Sequence, residues 1–252
     1  MSRGHALVTG GARRVGRAIA LELARAGLDV TITFDRSERD ASATAEEILA
    51  LGVQGEALAL ALDDPGRVSQ ECARLAARWE TERGLDVLVH NASVYGPMAV
   101  GAMDTGEAER AMRVNAISPL VMTAAFAGLL SASKLEGGGS VVAMSDIHAM
   151  GRPRRDHAAY SMSKAALVEM VRSLARDLAP KVRVNGVAPG VVAWPESGAE
   201  SERAMQEAYL SRVPLGRSGT MDDAAGAVRW LALDARYITG EIVRVDGGRW
   251  LA

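Results

Sequence analysis

Seven short stretches of the chain are apolar or β-branched: "HALVT" (5–9), "DVTITF" (29–34), "GEALALAL" (55–62), "LDVLVHNAS" (85–93), "SVVAM" (140–144), "VRVNGV" (182–187) and "EIVRV" (241–245). Each predicts a strand, although "GEALALAL" has a composition that also suits a helix. Between them apolar residues return at helical spacing, which predicts helices over 15–27, 41–52, 65–79, 106–131, 158–178 and 221–233. The first two stop at Gly27 and Gly52, residues suited to a helix C-terminus. Strands apolar throughout, rather than alternating, are buried on both faces. Alternation of such strands with helices predicts an α/β, doubly wound fold around a mostly parallel seven-stranded sheet. No repeat or low-complexity linker divides the 252 residues, which predicts one domain over 1–252.

Composition removes several function classes. Hydrophobic residues make up 48% and charged residues 24%, with a net charge of −2. This balance argues against a nucleic-acid partner. The single Cys72 excludes an internal disulfide and suits a reducing compartment. With four scattered histidines, local spacing builds no metal site. The first residues lack a signal-peptide pattern, and no apolar run is expected to approach the ~18 residues of a membrane span. A cytoplasmic protein acting on a small molecule is expected.

The turn "TGGARRVG" (9–16) joins the first predicted strand to the first helix, where a Rossmann-type domain binds a pyrophosphate. Gly10 and Gly11 are expected to let the backbone approach phosphates, and Gly16 to let helix and strand pack closely. The helix N-terminus adds amide donors. A glycine turn alone is a weak signal; its strand–turn–helix setting makes it a dinucleotide site. At the end of the second strand Asp35 suits the free ribose hydroxyl of NAD. Arg13, Arg14, Arg36 and Ser37 suit the 2′-phosphate of NADP, with Asp35 turned towards Arg39. NADP is favoured, and Asp35 keeps NAD open.

Tyr160 and Lys164 are four residues apart, so they share one helix face, continued by Leu167, Val168 and Val171. A core tyrosine beside a snorkelling lysine is one explanation. Proton transfer is another. A phenol with a pKa near ~10 is a poor relay at neutral pH, and a neighbouring ammonium lowers that value.

"TGGARRVG", "HNAS" (90–93), Asn115 in "RVNAISP", Tyr160-x-x-x-Lys164, "NGVAPG" (185–190) and "VDGG" (245–248) resemble the short-chain dehydrogenase/reductase family, in family order across nearly the whole chain. The resemblance implies Tyr160 as acid/base, with Lys164 holding the nicotinamide ribose and lowering the tyrosine pKa. It implies Asn115 as the positioner of a relay water. It adds Val15, Asn91, Ala92, Ser93, Pro189 and Gly190 to the cofactor contacts, and a homotetramer built through the long middle helices.

Three positions depart from the usual pattern. Arg14 stands where most members have glycine, and Asp146 where most have a catalytic serine. The aspartate expected to meet adenine falls near Ala61. The first two resemble the pteridine reductase and dihydromonapterin reductase branch, which implies Asp146 and Ser93 as substrate contacts and Tyr95 as a stacking ring over a pterin. The resemblance also implies a mobile substrate lid over 191–205, with Trp194 covering the ligand. The expected activity is NADPH-dependent reduction of a dihydropterin, with Asn115, Asp146, Tyr160 and Lys164 as the catalytic set. A carbonyl reductase of the same family and a non-catalytic NADP sensor are the alternatives. The arginines of "RPRRD" (152–156) are expected to be solvated, and His148 and His157 receive no role.

Overall fold

The structure is a computed structural model, and it describes residues 4–195 and 201–252. Its strands are β1 (His5–Val8), β2 (Asp29–Phe34), β3 (Gly55–Ala59), β4 (Val87–His90), β5 (Gly139–Met144), β6 (Val182–Pro189) and β7 (Ile242–Val245). They form a seven-stranded sheet in the order β3-β2-β1-β4-β5-β6-β7. Every pairing is parallel. The strand order turns back between β1 and β4, so the chain leaves their carboxyl ends in opposite directions and a crevice opens there. The ambiguous "GEALALAL" is a strand as far as Ala59, with Ile32 opposite Ala57.

The helices are α1 (Arg14–Arg25), α2 (Glu38–Ala50), α3 (Pro65–Glu82), α4 (Thr105–Met112), α5 (Ser118–Ser131), α6 (Ala158–Asp177), α7 (Arg203–Leu210) and α8 (Met221–Arg229). They cover both faces. On one, Ile19, Leu23, Ile48 and Val228 from α1, α2 and α8 pack on Val8, Ile32 and Val187. On the other, Trp79, Phe126, Leu167 and Val171 from α3, α5 and α6 pack on Leu88, Val141 and Val184. Trp79 and Phe126 stack at 5.5 Å between ring centroids. Burying each such side chain stabilises the fold by about 1.5–3 kcal/mol.

Helix α4 runs into α5 through one π-helical turn, Arg113–Ile117. An 18-residue stretch of the continuous helix Thr105–Ser131 has a mean hydropathy of 1.6 and is long and apolar enough to cross a membrane, which corrects the expectation that no stretch is. Half of that stretch is buried inside the protein, because the helix is a layer of the core. Part of the expected lid, residues 196–200, lies outside the described residues. Its end, from Arg203, starts α7.

Candidate active site

The turn after β1 sits at the β1/β4 crevice. Gly10 takes a left-handed φ of +63°, and a Cβ on it would meet the Ala92 Cα at 3.0 Å. A Cβ on Gly16 would lie 2.1 Å from the Gly10 carbonyl oxygen and 2.5 Å from Asn91 Nδ2. Only glycine lets α1 start this close to the strand. Gly11 differs from expectation: it is buried, and its missing Cβ makes room for Ile32, 2.5 Å away, rather than for a ligand. Thr9 and Asn91 lock the turn to the end of β4. Asn91 Nδ2 donates to the carbonyls of Thr9 (3.0 Å) and Gly10 (3.1 Å), and the amides of Asn91 and Ala92 donate to Thr9 Oγ1 at 3.0 and 3.1 Å.

A cleft of about 380 Å³ opens beside this turn, and Gly10, Arg13, Arg14, Val15, Gly16, Asn91, Ala92 and Ser93 line it. A narrow main-chain cradle, a helix N-terminus and the arginines suit the diphosphate of a dinucleotide. Asp35 also lines the cleft, whereas Arg36 and Ser37 do not. Asp35 pairs with Arg36 at 3.5 Å, not with Arg39 as expected. Adjacent exposed side chains at the strand end meet more readily than side chains four residues apart across a helix start. Ala61, standing where an aspartate was expected to meet adenine, lines the cleft, and so do Asp63 and Arg110, neither picked out by sequence motif.

Beyond the Ser93–Val94 edge of the cleft lies the tyrosine. Asp146 follows β5 and divides its carboxyl group between two tasks. Oδ1 accepts from the His148 amide at 2.7 Å, capping a short 3₁₀ turn, and Oδ2 accepts from the Tyr160 hydroxyl at 2.9 Å. Burial and the facing Asp146 hold the Tyr160 pKa well above the ordinary phenol value. This reverses the expected lowering by Lys164. The Lys164 ammonium is buried on the same face and donates to the Met144 carbonyl at 2.8 Å. Burial lowers its pKa to about 8.

Asn115 sits in the π-helical turn and is fully buried. Its Nδ2 donates to the Val94 carbonyl (3.0 Å) and to Ser163 Oγ (2.9 Å). Its Oδ1 accepts from the Val94 amide (2.9 Å) and Ser93 Oγ (3.1 Å). Those four bonds use the full capacity of an amide side chain. The Asn115 side chain therefore staples the cleft edge to α6 and itself has no bond left for a relay water.

His90 ends β4 and is buried, with Nε2 2.8 Å from Thr123 Oγ1 and Nδ1 without a partner. Burial lowers its pKa from 6.5 to about 3. The unfolded chain therefore binds a proton between pH 6.5 and 3 that the folded one refuses, so stability falls as pH falls through that window. His90 alone is expected to cost about 2 kcal/mol at pH 5 relative to neutral pH. Urea unfolding of His90→Asn at pH 7 and pH 5 checks this, since the variant is expected to lose less stability on acidification than the parent. Equal losses would refute it.

The substrate side is more crowded than the sequence suggested. Tyr95 is 46% exposed and meets Tyr160 edge-to-face at 4.9 Å. Arg154 donates to its hydroxyl at 2.6 Å. Arg152 donates to the carbonyls of Arg249 (2.8 Å) and Trp250 (2.9 Å). The solvated arginine loop is thus corrected for two of its three arginines; Arg155 is 95% exposed along its side chain. His157, given no role, is buried beside Tyr95 with ring centroids 5.2 Å apart. Pro189 ends β6, and Gly190 packs against Tyr209 of α7, whose hydroxyl accepts from the Val191 amide at 3.1 Å. Trp194 meets Tyr209 edge-to-face at 5.6 Å. Nothing in sequence pointed to Tyr209; its helix follows the undescribed stretch, and no motif marks it.

A family model described as enoyl-(acyl carrier protein) reductase matches residues 10–249. An uncharacterized oxidoreductase of Methylorubrum extorquens is 36% identical over 247 residues, covering 96% of each chain. A 3-oxoacyl-(acyl carrier protein) reductase of Staphylococcus aureus is 32% identical over 252 residues, covering 98% of each. Among solved structures, a short chain dehydrogenase from Burkholderia cenocepacia in complex with NADP is similar with a TM-score of 0.86, 33% identity and 98% of each chain covered.

Proposed function

Given that the chain belongs to the short-chain dehydrogenase/reductase family of oxidoreductases, we propose that it is an NADPH-dependent reductase of a dihydropterin C=N bond. The observation that carries this reading is the 2.9 Å hydrogen bond from Tyr160 to Asp146. The raised phenol pKa keeps Tyr160 protonated, the state from which it donates in reduction. The acid at position 146 argues for the substrate. A carboxylate offers lone pairs only, so it accepts from the N–H and amino groups along a pterin edge and repels a ketone oxygen.

A dinucleotide held in the cleft by these residues would supply the hydride to carbon. Tyr160 would give its proton to the neighbouring ring nitrogen and be reprotonated from solvent, with the Asp146 carboxylate orienting its hydroxyl as acceptor. Lys164, fixed by Met144, holds the nicotinamide ribose. Asn115 positions Ser93 and Val94, and the exposed face of Tyr95 stacks on the pterin ring. Gly10, Val15, Gly16, Asn91, Ala92, Pro189 and Gly190 shape the dinucleotide bed. Arg13, which lines the cleft with Asp35, meets the 2′-phosphate, and Arg36 offsets the Asp35 charge from outside the cleft. The NADP-bound short chain dehydrogenase favours the phosphorylated cofactor.

A second reading, carbonyl reduction, is favoured by the 32% identity to a 3-oxoacyl-(acyl carrier protein) reductase. Asp146→Ser separates the two. Under the pterin reading, kcat/KM for dihydropterin reduction, followed by NADPH absorbance, falls about a hundredfold. If the variant instead keeps its dihydropterin rate, or gains a 3-oxoacyl thioester activity exceeding it, the carbonyl reading stands. The same family reading makes the protein a cytoplasmic homotetramer with no nucleic-acid or membrane partner. An apolar groove between α4 and α6 supports the assembly, exposing Met103, Ile117 and Met162; light scattering measures the mass.

A further inference from the structure

We propose that Arg14 is a positioning residue that ties the segment after β6 to the dinucleotide turn, so that the wall carrying Trp194 is held in place from the cofactor side. Arg14 opens α1 with φ +53°, in the left-handed region where an L side chain is strained and glycine is not. Glycine would be the cheaper residue, so the strained arginine has to be explained by what its side chain does.

The guanidinium reaches across to residues 179 and 180 positions further along the chain. Arg14 Nη2 donates to the Trp194 carbonyl at 3.0 Å and to the Ala193 carbonyl at 3.3 Å. Such charge-assisted bonds to main-chain oxygens fix a backbone more firmly than neutral ones. Val191, by contrast, is anchored without Arg14: its amide donates to Tyr209 at 3.1 Å and its carbonyl accepts from the Gly219 amide at 3.0 Å. The main chain of the segment is therefore held at its start and at Ala193–Trp194, while the Trp194 ring also rests on Tyr209. Tyr209 and Gly219 hold its start, and Arg14 holds Ala193–Trp194. Arg14 also lines the dinucleotide cleft, so one residue serves the cofactor wall and the substrate wall. Its loss frees the Ala193–Trp194 main chain and loosens the Trp194 ring on Tyr209, while leaving β6 and Val191 anchored.

The proposal deepens the reductase reading and rests on it for the kinetic arm; the spectroscopic arm uses no ligand. In the first arm, acrylamide quenching of Trp194 is taken as the difference between each protein and its Trp194→Phe counterpart. Arg14→Gly is expected to raise that quenching about twofold, with the melting temperature unchanged or higher because the backbone strain is relieved. In the second, Arg14→Gly is expected to raise the KM for dihydropterin about tenfold and the Kd for NADPH less than about threefold. Unchanged Trp194 quenching overturns the proposal. So does an NADPH Kd that rises as much as the substrate KM, which would make Arg14 a phosphate ligand only. If Asp146→Ser shows the substrate to be a carbonyl compound, the KM is read with that compound and the quenching result is unaffected.

Discussion

Tyr160→Phe is expected to lower turnover at least about a hundredfold while leaving the Kd for NADPH within about threefold of the parent. The substitution removes one oxygen. That oxygen makes the 2.9 Å bond to Asp146 and belongs to the helix face that Tyr160 shares with Lys164. The ring remains, so its contact with Tyr95 at 4.9 Å persists and α6 keeps its packing. A deficit confined to turnover is what loss of a proton donor produces, since the phenol acts in the transition state and hardly at all in cofactor binding. Stopped-flow hydride transfer together with NADPH fluorescence titration measures both quantities. A variant with parental turnover would remove Tyr160 from the mechanism, and with it the reason for placing the site at the end of β5.

Gly16→Ala is expected to abolish measurable NADPH binding and to lower stability by about 1–3 kcal/mol. The new methyl group would sit 2.1 Å from the Gly10 carbonyl oxygen and 2.5 Å from Asn91 Nδ2. Both neighbours belong to the lock between the turn and β4, so relief requires α1 to back away or Asn91 to let go of Thr9 and Gly10. Either shift spoils the cradle over which phosphates are held. Calorimetric titration with NADPH and urea unfolding measure the two effects. An unaltered Kd would mean that the turn can move without cost and is not the phosphate bed. Gly11→Ala is a contrast in cause: there the clash is with the side chain of Ile32, inside the core.

The fold was legible because its signals are local. Uniformly apolar strands, helical spacing and stops such as Gly27 and Gly52 each report on a few consecutive residues. Even so, ends shifted by a few residues, as where "GEALALAL" leaves the sheet at Ala59. The continuous helix Thr105–Ser131 was read correctly as helix. Its π-turn at Arg113–Ile117 was not, because an extra residue per turn leaves no compositional mark.

At the site the division is sharper. Residue type and order along the chain by themselves determined the parallel α/β layering, the glycine turn, the shared face of Tyr160 and Lys164, and the candidacy of Asp146. Tertiary structure alone decided what each group is bonded to. It directed Tyr160 to Asp146 and Lys164 to Met144, and it filled every bond of the Asn115 amide. It also put Asp35 against Arg36, Arg154 on Tyr95 and Arg14 on the carbonyls of Ala193 and Trp194. The physical reason is range. Propensity and periodicity act over one or two turns of chain, whereas a pKa or a hydrogen bond depends on burial and on partners brought within about 3 Å from up to 180 residues away.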